Sequence, residues 1–258
     1  CILDSLSVVS GQRRVTNSMR GERFDVATGR SVRVAVVDSG VNRKHPHIPS
    51  VFGGVAIDAD GRQHPDYLDR LGHGTAVAAT IVEKAPDIEL YAVKVFEKEL
   101  ATGGDALVAA IDWAIEHQMQ VINLSLGTSN PELEVQLQAV VERAISQNSI
   151  VVSAIEEGGT RWFPGSLSGV VRVALDWDCP RNEYRSVMAS DGQTVFRASG
   201  FARPIPGVPL DRNLKGISFA VANLTGYLAR VVEHHTETSI DEVVKILATN
   251  SATYTNQS

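Results

Sequence analysis

The sequence predicts an α/β fold in which a mostly parallel central sheet is flanked by helices. Five short apolar runs, each typical of a strand buried on both faces, lie at residues 32–37, 88–95, 121–124, 150–154 and 170–175. Segments with helical periodicity lie between several of these runs. Since parallel strands need crossover connections, this alternation favours layered α/β architecture over an all-β or all-α fold.

Three helices follow from periodicity and capping. Within residues 105–118 the apolar side chains fall on one stripe, at Leu107, Val108, Ile111, Ala114 and Ile115. Pro131 occupies a suitable first position for a second helix. Ser239 and Glu242 form a capping box, which predicts a last helix that ends near residue 249.

The sequence predicts one domain with an N-terminal extension. Residues 1–30 are polar and weakly patterned, and we expect them to form an arm that wraps the domain. Residues 31–258 are expected to form a single domain, because no linker long enough to divide them is present. Surface loops are expected at the stretches rich in glycine, proline and charge, residues 58–72, 156–169 and 203–216. Because the chain begins with Cys1 rather than Met, we expect it to be a trimmed or processed piece.

Composition excludes several classes of function. The net charge of −6 disfavours nucleic acid and anionic membranes as partners, because both select basic surfaces. No apolar run approaches the roughly 18 residues of a membrane span. Cys1 and Cys179 could form at most one disulfide, and we expect two free thiols. No metal-ligand spacing or phosphate loop occurs, so neither a metal nor a cofactor is expected.

Three short motifs place an acid, an imidazole and a hydroxyl at the ends of predicted elements. Asp38 follows the first strand, His73 lies in a Gly-His-Gly-Thr that opens a helix, and Ser218 opens another. Each has an ordinary interpretation, as a turn aspartate, a structural histidine and a helix N-cap. Together they are the components of a nucleophilic triad.

The order Asp…His…Ser and the local strings VRVAVVDSG, LGHGTAVAATI and KGISFAVANLTG resemble the subtilisin-like serine proteases, or subtilases. The resemblance implies a three-layer subtilisin-like fold. It also implies that Ser218 is the nucleophile, that His73 is the general base and then acid, and that Asp38 orients the imidazole.

Two further segments resemble the substrate-binding edges of that family. VINLSLGT at residues 121–128 is similar to the strand that lines the primary specificity pocket, which implies substrate contacts at Ser125, Leu126 and Gly127. Gly103 and Gly104 lie where the family pairs its other edge with substrate. A peptide or protein substrate would then bind as an extended strand between the two segments.

The sequence departs from the family at the oxyanion hole. Where subtilases carry an Ala-Gly-Asn turn, matching places Ile155 on the glycine and Glu156 on the asparagine. Loss of that amide donor costs about 3–4 kcal/mol of transition-state stabilisation. An ionised carboxylate adds repulsion of about 4 kcal/mol at roughly 4 Å and an effective dielectric near 20.

Three alternatives stay open for Glu156. It could be protonated and donate, it could turn away and pair with Arg161, or the register could slip so that another polar group fills the hole. Ile155 is expected to narrow the specificity pocket, because it replaces a glycine.

We therefore predict a serine endopeptidase that cleaves a specific peptide or precursor, with maturation of a precursor peptide as one use. The alternative is a pseudoprotease or peptide-binding module whose oxyanion hole is impaired by Glu156. The low cysteine count and the lack of an asparagine-rich calcium loop favour a cytoplasmic location over a secreted one.

Overall fold

The computed structural model describes residues 26–97, 103–157 and 159–252. Its strands are β1 (Arg33–Asp38), β2 (Gly53–Ile57), β3 (Gln63–His64), β4 (Glu89–Lys94), β5 (Val121–Leu124), β6 (Ile150–Ala154), β7 (Glu156–Glu157), β8 (Thr160–Arg161), β9 (Val171–Leu175), β10 (Tyr184–Met188) and β11 (Thr194–Ala198). Its helices are α1 (His73–Lys84), α2 (Gly104–Glu116), α3 (Glu134–Ser146), α4 (Ile217–Val232) and α5 (Ile240–Thr249).

In the described part of the chain, nine strands form the central sheet, in the order β10-β11-β9-β6-β5-β1-β4-β2-β3. The pairs β10–β11 and β2–β3, one at each edge, are antiparallel, and every other pair is parallel. The short strands β7 and β8 form a separate hairpin. The sheet is therefore mostly parallel, and its strands present their carboxyl ends along one edge.

Helices cover both faces of this sheet. Alternate residues of β1 point to opposite sides: Val34 and Val36 join one buried cluster with α1, α4 and α5, whereas Ala35 and Val37 join another with α2 and α3. Burial on both faces explains why the strands read as continuous apolar runs. The predicted three-layer α/β fold is confirmed.

The predicted elements lie close to the observed ones. The five strands expected from apolar runs are β1, β4, β5, β6 and β9, with bounds within a residue or so of those expected. The helix expected at 105–118 is α2, and Pro131 opens a 3₁₀ turn that leads into α3. Ser239 caps α5, where its Oγ accepts a hydrogen bond from the Glu242 N–H at 3.4 Å.

The structure differs from the sequence-based predictions at the sheet edges and in two expected loops. β2, β10 and β11 were not predicted, and the strands β10 and β11 carry Arg185 and Arg197 among their apolar residues. A strand at or near an edge need not be apolar on both faces, so no continuous run marks it. The expected loops at 58–72 and 156–169 contain the short strands β3, β7 and β8.

The N-terminal arm falls mostly outside the described residues, since residues 1–25 are not among them. Thr28, Gly29 and Arg30 each donate a backbone N–H to Glu233 Oε2, which holds the start of the described chain against the end of α4. The division at residue 30 stays a prediction.

Cys179 is buried and has a free thiol, whereas Cys1 lies outside the described residues. Burial raises the pKa of the Cys179 thiol to about 11. In the part of the chain that the structure describes, none of the helices combines the length and the apolar character that a bilayer span requires.

Candidate active site

The candidate site forms where the carboxyl ends of central strands meet the N-termini of two helices. Asp38 is the last residue of β1, and Ser125 and Ile155 follow β5 and β6, which lie next to one another beside it. His73 begins α1 and Ser218 is the second residue of α4. The topology thus brings three distant segments to one edge.

Asp38 and His73 are in direct contact. Asp38 Oδ1 lies 2.8 Å from His73 Nδ1 and accepts the backbone N–H of Ser39 at 2.7 Å. The Asp38 carboxyl is fully buried, while 15% of the His73 side chain is exposed. Since an ionised carboxylate only accepts, Nδ1 carries the proton and Nε2 is left as the basic nitrogen.

The two glycines beside His73 are required by the backbone. Gly72 has φ 87°, in the left-handed region that other residues rarely adopt. A Cβ on Gly74 would collide with the carbonyl oxygen of Gly40 and approach Asp38 Oδ1 to 3.1 Å. The Gly-His-Gly sequence therefore lets α1 start close enough to β1 for the Asp38–His73 contact.

Opposing effects set the pKa of His73. Burial of the ring lowers it, but the hydrogen bond and negative charge of Asp38, with a smaller effect of the Asp69 charge, raise it by more. The pKa of His73 therefore lies above its ordinary value. The pair stabilises an imidazolium, which a general base becomes when it takes a proton.

Asp69 is a second buried carboxylate, at the start of the helix that His73 opens, and sequence reasoning missed it. It accepts hydrogen bonds from the Oγ of Ser39, from the backbone N–H groups of Leu71 and Gly72, and from both the N–H and the Oγ1 of Thr75, at 2.6–2.9 Å. Burial opposes ionisation, but these donors hold the pKa of Asp69 below its ordinary value. In the sequence, the only indication that Asp69 belongs to the site was its position four residues before His73.

Ser218 is joined to the end of β5 in both directions. Its Oγ donates to the carbonyl oxygen of Ser125 at 3.2 Å, and the Oγ of Ser125 donates to the carbonyl oxygen of Ser218 at 3.1 Å. Gly216 precedes the helix at φ 147°, and the Phe219 ring lies 5.6 Å from the His73 ring between centroids.

Sequence reasoning also missed a buried polar pair, Asn123 and Thr225, which is linked to Ser125. Asn123, fully buried in β5, donates from Nδ2 to Ser125 Oγ at 2.9 Å and accepts from Thr225 Oγ1 of α4 at 2.9 Å. Buried polar groups of this kind need partners, and here the partners tie α4 to β5. An asparagine within an apolar strand was the sequence signal.

The expected substrate-binding residues lie on two separate segments. Gly104 opens α2 against Leu133, and Gly103 precedes it, but residues 98–102 lie outside the described part of the chain. Leu126 packs against the layer formed by α2 and α3. Ser125 and Gly127 are half-buried.

Trp162 lies against the strand expected to line the specificity pocket. A Cβ on Gly127 would collide with the Trp162 indole and with the Phe163 carbonyl oxygen. Thr128 pairs with Phe163 through two backbone hydrogen bonds of 2.8–2.9 Å, which holds this contact in register. Sequence reasoning named Ile155 as the narrowing residue and missed Trp162.

Glu156 is exposed in the β7–β8 hairpin, where its register partner is Arg161. The side chain of Arg161 pairs with Glu134 at 2.9 Å, so of the three alternatives for Glu156, pairing with Arg161 is not the one that the structure shows. Ile155, half-buried, donates its N–H to Val173 and accepts from Trp162. These two bonds fix the backbone of the turn next to Glu156.

The sequence model of the Subtilase family matches residues 29–191, more than half of the chain. The chain belongs to the subtilase family. Subtilisin E of Bacillus subtilis strain 168 is 29% identical over 256 residues, which cover 90% of this subtilase but only 63% of the length of Subtilisin E.

Solved structures agree with the fold of this subtilase. A lanthipeptide protease superimposes with a TM-score of 0.64 at 20% identity, covering 90% of this chain and 86% of the other. The prenylagaramide maturation protease PagA superimposes with a TM-score of 0.63 at 21% identity, covering 84% and 82%. At these identities the likeness concerns the fold alone.

Proposed function

We propose that this subtilase is a serine endopeptidase that cleaves a specific peptide or precursor through an acyl-enzyme. The observation that carries the proposal is the 2.8 Å contact between Asp38 Oδ1 and His73 Nδ1, at the edge where α4 presents Ser218. An imidazole oriented by a buried carboxylate is the base that activates a hydroxyl nucleophile, and we propose Ser218, whose Oγ donates to the Ser125 carbonyl in this structure, as that nucleophile.

In the proposed reaction, Ser218 Oγ rotates from the Ser125 carbonyl toward His73 and attacks the carbonyl carbon of the scissile bond. His73 Nε2 takes the hydroxyl proton, and Asp38 stabilises the imidazolium. When the tetrahedral intermediate collapses, the C–N bond breaks and His73 gives the proton to the leaving amine. Water then attacks the acyl-enzyme by the same path and restores Ser218.

The remaining oxyanion donor is the N–H of Ser218 itself. As a first-turn N–H of α4 it has no partner within the helix, and the N-terminal end of the helix favours negative charge. Glu156 stands where the family places its second donor, so we expect turnover to be slow relative to an enzyme with an amide there.

The expected substrate carries a small residue before the scissile bond. Ile155 replaces a glycine, and the Trp162 indole lies directly against Gly127. The Trp162 indole reduces the space beside Gly127, and we expect Ile155 to reduce it further. A restricted pocket is suited to one processing site rather than to general digestion, and two structural neighbours are named as a lanthipeptide protease and a maturation protease. We therefore propose maturation of a precursor peptide.

Labelling with a fluorophosphonate probe tests the serine–histidine pair directly. The expected result is a single adduct on Ser218, located by mass spectrometry and absent in Ser218→Ala. Failure to label at any pH between 5 and 9, with the chain folded, would refute the proposal.

The second candidate is a peptide-binding pseudoprotease, and the feature that favours it is Glu156, which the sequence match places on the asparagine of the family's oxyanion hole. It predicts that Ser218→Ala leaves the biological activity of the protein intact. Loss of that activity in Ser218→Ala, with peptide binding retained, would exclude it.

A further inference from the structure

A cavity of about 420 Å³ lies beside the candidate active site and is not part of the expected specificity pocket. Its wall includes Gly72, the neighbour of His73, and Leu214, which lies four residues before Ser218. Residues 125–127 and Ile155, expected to contact the peptide before the scissile bond, do not line it. The cavity is therefore positioned for the part of the peptide that follows that bond.

The wall that carries Leu214 is anchored at its base. Gly216 donates its N–H to the Gly200 carbonyl at 2.8 Å, and Ala202 donates to the Leu214 carbonyl at 3.2 Å. Asn213 Nδ2 donates to the carbonyl oxygen of Arg203 at 2.9 Å. These bonds hold Arg203 at a fixed place on the loop that leads to Ser218.

The basic side chains of the lining are those of Arg70, Arg203, His45 and His47. Arg70 pairs with Asp66, so Arg203, His45 and His47 remain to donate to an anion. His45 Nδ1 accepts the backbone N–H of His47 at 3.2 Å, so its ring proton lies on Nε2 when the ring is neutral. Burial and then the charges of Arg203 and His45 lower the pKa of His47. The positive charge of Arg203 is thus felt within the cavity.

The nearby carboxylates are already engaged. Glu83 binds the guanidinium of Arg181 and the ammonium of Lys84, and Asp69 accepts five hydrogen bonds around the start of α1. Among the described residues, no ion pair to Arg203 is formed, and its Nη1 donates to the His47 carbonyl at 3.3 Å. Arg203, half-buried in the wall of the cavity, is therefore a cationic group without a carboxylate partner among the described residues, on a chain whose net charge is −6.

Exposed apolar side chains line the same cavity as this cationic group. Leu71, Ile205 and Leu214 line the cavity and are 38%, 42% and 47% exposed. Exposed large apolar side chains around a polar centre are typical of a surface that binds a peptide.

We propose that this cavity is a subsite for a carboxylate in the peptide beyond the scissile bond, held by Arg203 with His45 and His47, with an adjacent apolar side chain against the exposed apolar residues of the lining. The proposal rests on the proposed function and adds a substrate class to it, peptides that are acidic on the leaving side. The carboxylate can belong to an Asp or Glu side chain or to the C-terminus of the peptide.

Binding to the Ser218→Ala protein tests the subsite without any turnover. The probes are fluorescent peptides with alanine before the scissile bond and either Asp or Asn at each of the four following positions. A second pair ends at those positions as a free acid or as an amide, which separates a side-chain carboxylate from a terminal one. At one position we expect the acid to bind at least tenfold more tightly than its neutral partner.

The variant Arg203→Gln, made in the Ser218→Ala background, should reduce this preference to less than twofold. Arg143→Gln is the matched control, because Arg143 pairs with Asp112 in the opposite helix layer and should leave the preference intact. Arg203→Lys, which retains the charge, should keep part of it. Unfolding temperatures of all variants establish that each chain is folded.

Equal binding of acidic and neutral peptides, or a preference that survives Arg203→Gln, would overturn the subsite. The same peptides are then given to the protein with Ser218 intact. Selective binding of the acidic peptides without cleavage would support the subsite and contradict the proposed function. Cleavage of the peptides without selective binding would support the proposed function and contradict the subsite.

Discussion

Ser218 and Ser125 exchange hydrogen bonds: each hydroxyl donates to the carbonyl oxygen of the other residue, at 3.1 and 3.2 Å. The exchange joins the first turn of α4 to the end of β5, and Asn123 supports it by donating to Ser125 Oγ. Ser125 therefore contributes to the site through its side chain as well as through the backbone that is expected to bind peptide. Ser218, the proposed nucleophile, is therefore positioned by β5, the strand that we propose to bind the peptide.

Replacement of Ser125 by alanine should lower kcat by about tenfold with KM changed much less, because a small displacement of a nucleophile is costly. It should also lower the free energy of unfolding by about 1–2 kcal/mol, since Asn123 Nδ2 loses its buried acceptor. Steady-state kinetics and urea unfolding measure both effects. Ser129→Ala, an exposed neighbour, is the control, and equal kinetics for the two variants would contradict the positioning role.

Asp38→Asn should reduce kcat by roughly 10⁴-fold, as loss of the carboxylate from such a triad does. The activity needs neutral His73, so the rate should fall as the pH drops through the pKa of that residue, which lies above its ordinary value. Asp38→Asn removes the charge of Asp38, which helps to raise the pKa of His73, so the acid limb of the pH profile should move to lower pH. A pH profile of kcat/KM measures the shift, with Asp112→Asn as control. An unmoved limb would mean that another group controls the acid side.

The sequence predicted five of the nine described strands of the central sheet, and the three residues proposed for catalysis, because local patterns mark them. Apolar runs identify strands buried on both faces, and glycines identify the sharp starts of α1 and α4. The contact between Trp162 and Gly127 could not be predicted, because it depends on how two strands meet after folding. The strands β10 and β11 were missed because Arg185 and Arg197 interrupt their apolar pattern.

Asp69→Asn should destabilise the protein by about 3 kcal/mol near neutral pH, because the buried carboxylate accepts five hydrogen bonds, several of which an amide cannot accept. The pKa of Asp69 is lowered in the folded state, so its contribution is present above the unfolded value of about 3.9 and is lost as pH falls through the folded value. The difference between the wild type and Asp69→Asn should therefore narrow in acid. Thermal unfolding from pH 3 to 8 measures it.

The matched control for Asp69 is Asp66→Asn. Asp66 is exposed and pairs with Arg70 at 2.6 Å, so its loss should change the unfolding temperature very little. A similar loss of stability in both variants would show that the buried hydrogen bonds around Asp69 are not the cause.

Trp162→Ala should widen the pocket beside Gly127. We expect kcat/KM for peptides with a large apolar residue before the scissile bond to rise at least tenfold relative to peptides with alanine there, since each buried methylene contributes about 0.8 kcal/mol. Trp177→Ala, which removes a half-exposed indole that packs on Phe201, is the control. Competition between the two peptides in one reaction gives the ratio directly, and an unchanged ratio would place Trp162 outside the pocket.

Glu156→Asn restores the donor that the family places at the oxyanion hole. We expect kcat to rise by roughly 10²–10³-fold, because one such donor contributes that factor and a nearby negative charge opposes the developing oxyanion. KM should change little, since the interaction forms in the transition state. Glu156→Gln removes the charge with a longer side chain and should recover only part of the rate.

Glu132→Gln is the control for loss of charge, because Glu132 is exposed in the 3₁₀ turn before α3 and should leave kcat unchanged. The two outcomes have distinct meanings. A large increase in Glu156→Asn identifies an enzyme restrained at one residue, and fluorophosphonate labelling of Ser218 should accelerate in parallel. An unchanged rate would mean that the Glu156 carboxylate lies away from the oxyanion, as its exposed place on the β7–β8 hairpin allows, and that the Ser218 N–H serves without a partner from that position.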